Sequence, residues 1–295
     1  MVTTATAREN LGISGSGTAE GGTVGGGTVG DGTAGGGAAG GGTAGGGAAD
    51  GWCSVEELTR WGFTHAPVVM ANEAHSGLQR CIRTREVGIR MVQAAHEAGV
   101  RRLAMEALPW RPADEPGPIR EIPQARGGYL AQPDMRALMT AALDLGWTLW
   151  AYEAHIEGRP GQDPAEWLTM EFTNWREREQ ARNLCRVLAA APGEPLLVWT
   201  GNSHAATQPS EEWTPMGCHF PGLSGIDPFV IDQDVTVDFG HGHGTRDWVN
   251  ELLDSLSEIL AAHGGTAGIL CGRGPESLAR WPADAVIVST DNALT

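Results

Sequence analysis

Pro67-Val68-Val69-Met70-Ala71-Asn72-Glu73-Ala74-His75 is an apolar run that stops at a carboxylate and an imidazole two residues apart. A valine-rich run of this length, followed by polar residues and then by helical spacing, reads as a buried strand that delivers a loop. The pattern recurs. Leu103-Ala104-Met105 ends in Glu106, Trp147 to Tyr152 ends in Glu153 and His155, and Leu196 to Thr200 ends in Gly201-Asn202-Ser203-His204. If the four runs are parallel strands of one sheet, all four polar clusters fall at carboxyl ends of strands, where open α/β sheets place ligands.

The segments between the runs are helical in pattern. Leu78, Cys81, Ile82, Ile89, Val92 and Ala95 recur at three, four and seven and stop at Gly99, and a second such pattern covers Pro133 to Leu145. The longest helix is expected over about 165–190, with Met170, Glu177, Ala181, Leu184 and Leu188 on one stripe and Arg176, Gln180 and Asn183 on the next. An acid inside an apolar stripe needs a partner. The spacing therefore predicts Glu177 within reach of a site histidine or a metal, and Arg176 facing the same place from the same turn. Five prolines from Pro109 to Pro123 forbid regular structure there, which predicts a long loop over the sheet end. Beyond His204 the chain reads as irregular through Pro209, Pro215 and Pro221. Then come a strand at Phe229 to Ile231, a helix from about Asp247 to His263, and two short strands, Ala267 to Cys271 and Ala285 to Ser289. Strands alternating with helices define an α/β fold with a mostly parallel sheet flanked by helices.

Composition bounds the rest. Of the 295 residues, 1–50 stand apart, because from Ser14 to Ala49 the sequence is almost entirely Gly, Ala, Thr and Val in a loose repeat. Such a segment has few side chains to bury and much backbone entropy to lose, so a disordered Gly-rich N-terminal tail is expected, with residues 51–295 forming a single domain. The net charge of −16 speaks against a nucleic-acid or anionic-membrane partner. No apolar run approaches a bilayer span and no apolar signal core is present, which predicts a cytoplasmic protein acting on a small-molecule substrate. The five cysteines are widely spaced with no paired CxxC, as suits reduced thiols.

In this order, Asn72-Glu73-Ala74-His75, the strand ending in Glu106, the Arg176-Glu177-x-x-Gln180-Ala181-x-Asn183 helix and the Gly201-Asn202-Ser203-His204 loop resemble the erythromycin esterase (EreA)/ChaN-like/Tiki superfamily. The resemblance covers nearly all of residues 65–290. It implies an EreA/ChaN-like fold, with the family's acid-x-His, strand-end Glu, Arg-acid pair and Gly-x-x-His roles falling on Glu73, His75, Glu106, Arg176, Glu177 and His204. Asn72 stands where the family usually has Gly. The two-residue spacing from Glu73 to His75 is similar to the ChaN-type haem-binding proteins, whereas esterases generally have three.

The residue types support hydrolysis independently. A neutral histidine held by a carboxylate is a competent base for water, and a nearby arginine stabilises the oxyanion of an attacked carbonyl. No Gly-x-Ser-x-Gly elbow occurs, so Ser203 reads as a loop hydrogen-bonder and direct attack by water is favoured. The expected enzyme is a hydrolase of an ester, lactone or amide. His75 is its base, Glu73 and Glu106 the orienting acids, Arg176 and His204 the carbonyl contacts, and His155, Glu177, Tyr152 and Asn202 line the substrate. The competing expectation is a haem or tetrapyrrole carrier, with Tyr152 near the site as a candidate ligand. The cofactor stays undecided between none, a divalent metal and haem. His75, His155, His204 and the acids are suitable metal donors, but no HExxH fixes them, and His241-Gly242-His243 reads either as a solvated glycine loop or as a ligand pair.

Overall fold

A computed structural model describes residues 51–74, 78–106, 108, 117–124, 128–155, 169–201, 203–240, 242–244 and 246–290. The expected tail over 1–50 lies outside the described residues. In chain order the elements are β1 (Trp52–Cys53), α1 (Val55–His65), β2 (Val68–Glu73), α2 (Leu78–Glu97), β3 (Arg102–Met105), α3 (Pro133–Asp144), β4 (Thr148–Ala151), α4 (Met170–Ala190) and β5 (Leu196–Gly201). They continue with α5 (Met216–Ser224), β6 (Phe229–Asp238), β7 (His243–Gly244), α6 (Asp247–Glu251), α7 (Leu253–Ala262), β8 (Thr266–Leu270), α8 (Glu276–Ala279) and β9 (Ala285–Thr290).

The strands form one sheet in the order β1-β8-β9-β6-β2-β5-β3-β4, with β7 paired to β6. The pairings β9-β6, β6-β2, β2-β5, β5-β3 and β3-β4 are parallel, while β8 and β1 are antiparallel additions at one edge. Every residue of β2 is buried, as a central strand covered on both faces requires. Its side chains alternate between two cores. Val69 and Ala71 pack with Leu58 of α1, Met91 of α2 and Leu138 of α3. Val68 and Met70 pack with Ala181 and Leu184 of α4 and Phe220 of α5. The sheet is thus sandwiched between helices, and its register brings Glu73 beside Gly201 and Met105 beside both Ala151 and Trp199. The carboxyl ends of β2, β5, β3 and β4 therefore line up along one edge.

The C-terminal part departs from the sequence expectations. The region of Pro209, Pro215 and Pro221 contains a helix, α5, because Pro215 occupies its N-cap and Gly225 closes it in the left-handed region at φ 71°. The expected helix over 247–263 breaks at Leu252 into α6 and α7. Strand β6 runs on to Asp238 through an irregularity between Asp232 and Val235. β8 returns antiparallel to β9, since the link between them holds no crossover helix long enough for a parallel pair. Of the proline loop, Ile119 is described, and it exchanges two backbone hydrogen bonds with Leu149, covering the outer edge of β4. No helix among the described residues is long and apolar enough to cross a membrane.

Candidate active site

The acid that ends β2 is the most deeply placed. Glu73 is fully buried and receives Arg85 Nε at 2.8 Å, Arg85 Nη2 at 3.2 Å and the Trp199 indole N–H at 2.8 Å. Burial raises its pKa, and these donors offset only part of that rise. Arg85 also donates to Gln132 and Asp134 and stacks over the Tyr129 ring at 4.7 Å, so one buried cation ties β2 to α2 and α3. Gly88, one turn along α2, allows this approach. A Cβ there would meet the Trp199 ring at 2.5 Å.

Above β3 and β4 lies a second ion cluster. Arg176 donates through Nε to Glu153 Oε1 at 2.9 Å, and through Nη2 to Glu153 Oε2 at 2.5 Å and to Glu106 Oε1. Gln180 donates to Glu153 at 3.0 Å, and Asn183 donates to the Tyr152 and Glu153 carbonyls. Arg176, Gln180 and Asn183 follow one another at four and three residues, so one helical stripe grips the end of β4. The other oxygen of Glu106 accepts the Gly201 N–H at 2.9 Å, linking the cluster to β5. Burial works against the Arg176 charge, but Glu106 and Glu153 outweigh it and hold its pKa well above the ordinary value. No described residue accepts from Arg176 Nη1, and a quarter of the side chain remains exposed.

The third group sits at the end of β5. Glu177 is fully buried. Its Oε1 accepts from His204 Nδ1 at 2.5 Å and from the Trp213 indole at 3.1 Å, and its Oε2 accepts the Met216 N–H at 2.7 Å. The Trp213 indole and the Met216 N–H can only donate, so both Glu177 oxygens serve as acceptors and the shared ring proton is assigned to His204. His204 Nδ1 therefore carries the proton, and in the neutral ring Nε2 is the free base. That nitrogen lies 4.0 Å from Glu106 Oε1, the atom that also binds Arg176. Burial depresses the His204 pKa, but the charges of Glu177 and Glu106 prevail over it and over Arg176, and the net shift is upward. The backbone carrying His204 is pinned by the Gly217 N–H, which donates to the His204 carbonyl at 2.9 Å. Only glycine fits there, because a Cβ at 217 would stand 2.2 Å from the Ala205 carbonyl oxygen.

The structure thus brings together Glu106, Arg176, Glu177 and His204, whereas Glu73, at the end of β2, turns to the other face of the sheet, toward Arg85 and Trp199. Glu177 and Arg176 stand as the stripe argument expects, one on a histidine and one across two strand ends. His75, Asn202 and His241 lie outside the described residues, as does the His243 side chain. His155 is half-buried, two residues past Glu153. Tyr152 departs from its expected place at the substrate. It is fully buried and its hydroxyl donates to the Trp199 carbonyl at 3.0 Å, while burial drives its pKa far up. Among the described residues, no three His, Cys, Asp or Glu are grouped to hold a metal ion. Sequence reasoning did not single out Arg85 or Trp213. Arg85 fills the gap between Ile82 and Ile89 in the apolar stripe of α2, a signal of the same kind as Glu177, whereas Trp213 lies in a proline-rich loop without periodicity.

No known family model matches the chain, and no curated protein matches it significantly. Several solved structures share a distant likeness. The type III effector HopBA1 aligns with a TM-score of 0.43 at 14% identity, over 81% of this chain and 94% of that one. A structure described as bacterial protein toxins gives 0.41 at 15% identity, over 62% of this chain and 37% of that one. RRSP, a MARTX toxin effector domain from Vibrio vulnificus, gives 0.35 at 18% identity, over 57% and 34%. At these scores the likeness carries no functional argument.

Proposed function

We propose that the protein is a hydrolase in which His204 activates water for direct attack on the carbonyl of a small-molecule ester, lactone or amide. The observation that supports this is the His204 ring, held through Nδ1 at 2.5 Å by a buried carboxylate, with its other nitrogen directed toward Glu106 and Arg176. Nε2 takes a proton from water as the oxygen attacks the carbonyl carbon, and Glu177 stabilises the imidazolium that forms. The oxyanion meets Arg176 Nη1, the donor with no acceptor among the described residues. His204 then returns the proton to the leaving oxygen or nitrogen. Glu106 stands between the two, bound to Arg176 and 4.0 Å from His204 Nε2, and is itself held by the Gly201 N–H. We assign the base to His204, whose orienting acid is defined, where the sequence alone points to His75 as the base and His204 as a carbonyl contact.

Charge narrows the substrate. Glu106, Glu153 and Glu177 outnumber Arg176 at the site, so a neutral acyl group is accommodated more readily than a phosphate ester. The haem-carrier reading is weakened by Tyr152, whose buried, hydrogen-bonded phenol is a poor iron ligand. The test is a panel of p-nitrophenyl esters, lactones and amides assayed with wild-type and His204→Asn proteins. Loss of at least about a hundredfold in kcat is expected for the variant. Equal turnover by the two would sink the assignment.

A further inference from the structure

Trp213 stands in the loop between β5 and α5, where neither periodicity nor a motif marks it. Its indole N–H donates at 3.1 Å to Glu177 Oε1, the same oxygen that accepts His204 Nδ1 at 2.5 Å. Its ring meets the His204 ring edge-on, with centroids 6.1 Å apart and an interplanar angle of 81°. The loop is braced to hold it there. Ser210 and Trp213 exchange backbone and hydroxyl hydrogen bonds. Asn174, one turn before Glu177 on α4, donates to the Glu212 carbonyl at 2.7 Å and accepts from Thr214 N–H at 2.8 Å.

We infer that Trp213 is a positioning residue for the His204–Glu177 pair, fixing the imidazole with its ring and sharing the carboxylate oxygen with its N–H. A carboxylate oxygen that serves two donors stabilises the charge on either one less than if it served that one alone. Trp213 therefore tempers the basicity that Glu177 confers on His204. The groups that set this balance come from every surrounding element. Arg176 and Glu177 come from α4, and Glu106 from the end of β3. On α5, Cys218 and His219 both sense the Glu177 charge. The kinetic consequence rests on the hydrolase reading. The hydrogen-bond arrangement does not.

The experiment separates the two. Imidazole nitrogen chemical shifts of His204 are followed by NMR against pH in the wild-type protein and in Trp213→Phe, which keeps an aromatic ring and loses the N–H. With Glu177 Oε1 left to His204 alone, its titration moves to higher pH in the variant. If hydrolysis is found, the acid limb of kcat/KM moves the same way and activity at a fixed acidic pH falls about threefold. A purely structural tryptophan would lower the thermal unfolding midpoint and leave the titration where it was. An unchanged or downward titration in folded Trp213→Phe overturns the inference, even if the hydrolase reading stands. Absence of any hydrolysis sinks that reading while leaving the titration to decide this one. Trp213→Leu, which also lacks the N–H, serves if the phenylalanine variant does not fold.

Discussion

Replacing Glu177 by glutamine changes one atom in a site with no room to adapt. The native carboxylate is fully buried and accepts from His204 Nδ1, Trp213 Nε1 and Met216 N. Glutamine offers one acceptor oxygen and an NH2, so at least one of the three donors must face another donor. Losing a charge-assisted hydrogen bond and stranding a buried donor together cost about 3–5 kcal/mol. Relief from burying a charge returns part of this, leaving about 2–4 kcal/mol of a typical total stability of about 5–15. Urea unfolding of wild-type and Glu177→Gln proteins reads the difference directly. It must also depend on pH. Because the folded His204 pKa lies above its unfolded value, the stabilisation from Glu177 is complete below about pH 6.5 and is lost as pH rises through the folded value. The gap between the two proteins is therefore wider at acidic than at alkaline pH. Catalysis falls by about 10²- to 10⁴-fold, because the ring loses its fixed tautomer. A variant as stable as wild type at both pH values, or one with full turnover, refutes the geometry from which these figures are worked.

The kcat/KM profile rises with pH through a value above that of ordinary histidine, since the base must be neutral and its pKa is shifted upward; a limb at or below the ordinary value would contradict it. Arg176→Lys keeps the charge but cannot fork between Glu106 and Glu153, so kcat should fall by about a hundredfold with the fold intact by circular dichroism. Gly217→Ala drives a methyl group into the Ala205 carbonyl and should cost about 1–3 kcal/mol in denaturant unfolding, together with activity, because the displaced backbone carries His204. Deletion of residues 1–50, whose Gly/Ala/Thr composition offers little to bury, should leave the thermal midpoint of the remaining chain unchanged; a large drop would show that the segment packs.

The half of the sheet that carries the site was legible because its strands are buried on both faces. Val68 to Glu73 and Leu196 to Gly201 read as unbroken apolar runs with an abrupt polar end, and that end is what the register aligns. The rest was harder to read for two physical reasons. Pro215 and Pro221 argue against a helix by residue type, yet one lies at the N-cap, where no hydrogen bond is lost, and α5 forms around the other. β6 carries Asp232 and Gln233 in its middle, where Asn72 donates to Asp232 and accepts the Gln233 N–H. Those polar residues broke the apolar run that would have announced a ten-residue strand. In the site, misplaced charges were the informative signal. Glu177 in the stripe of α4 led to His204, and Arg85 in the stripe of α2 leads to Glu73 by the same reasoning.

That α4 supplies consecutive functional residues follows from where it lies. Successive helical positions point about 100° apart, so neighbours cannot share a partner, but they can serve two stations. Arg176 reaches the ends of β3 and β4, and Glu177 reaches His204 past the end of β5. The stations meet again at Glu106 Oε1, bound to Arg176 and 4.0 Å from His204 Nε2. Residues coupled through a shared atom should not act additively. In a double-mutant cycle, Arg176→Lys combined with Glu177→Gln should therefore lose less activity than the product of the two single losses, because either change alone already breaks the alignment of donor and base. Strict additivity would mean that the two stations work independently and that the helix merely carries both.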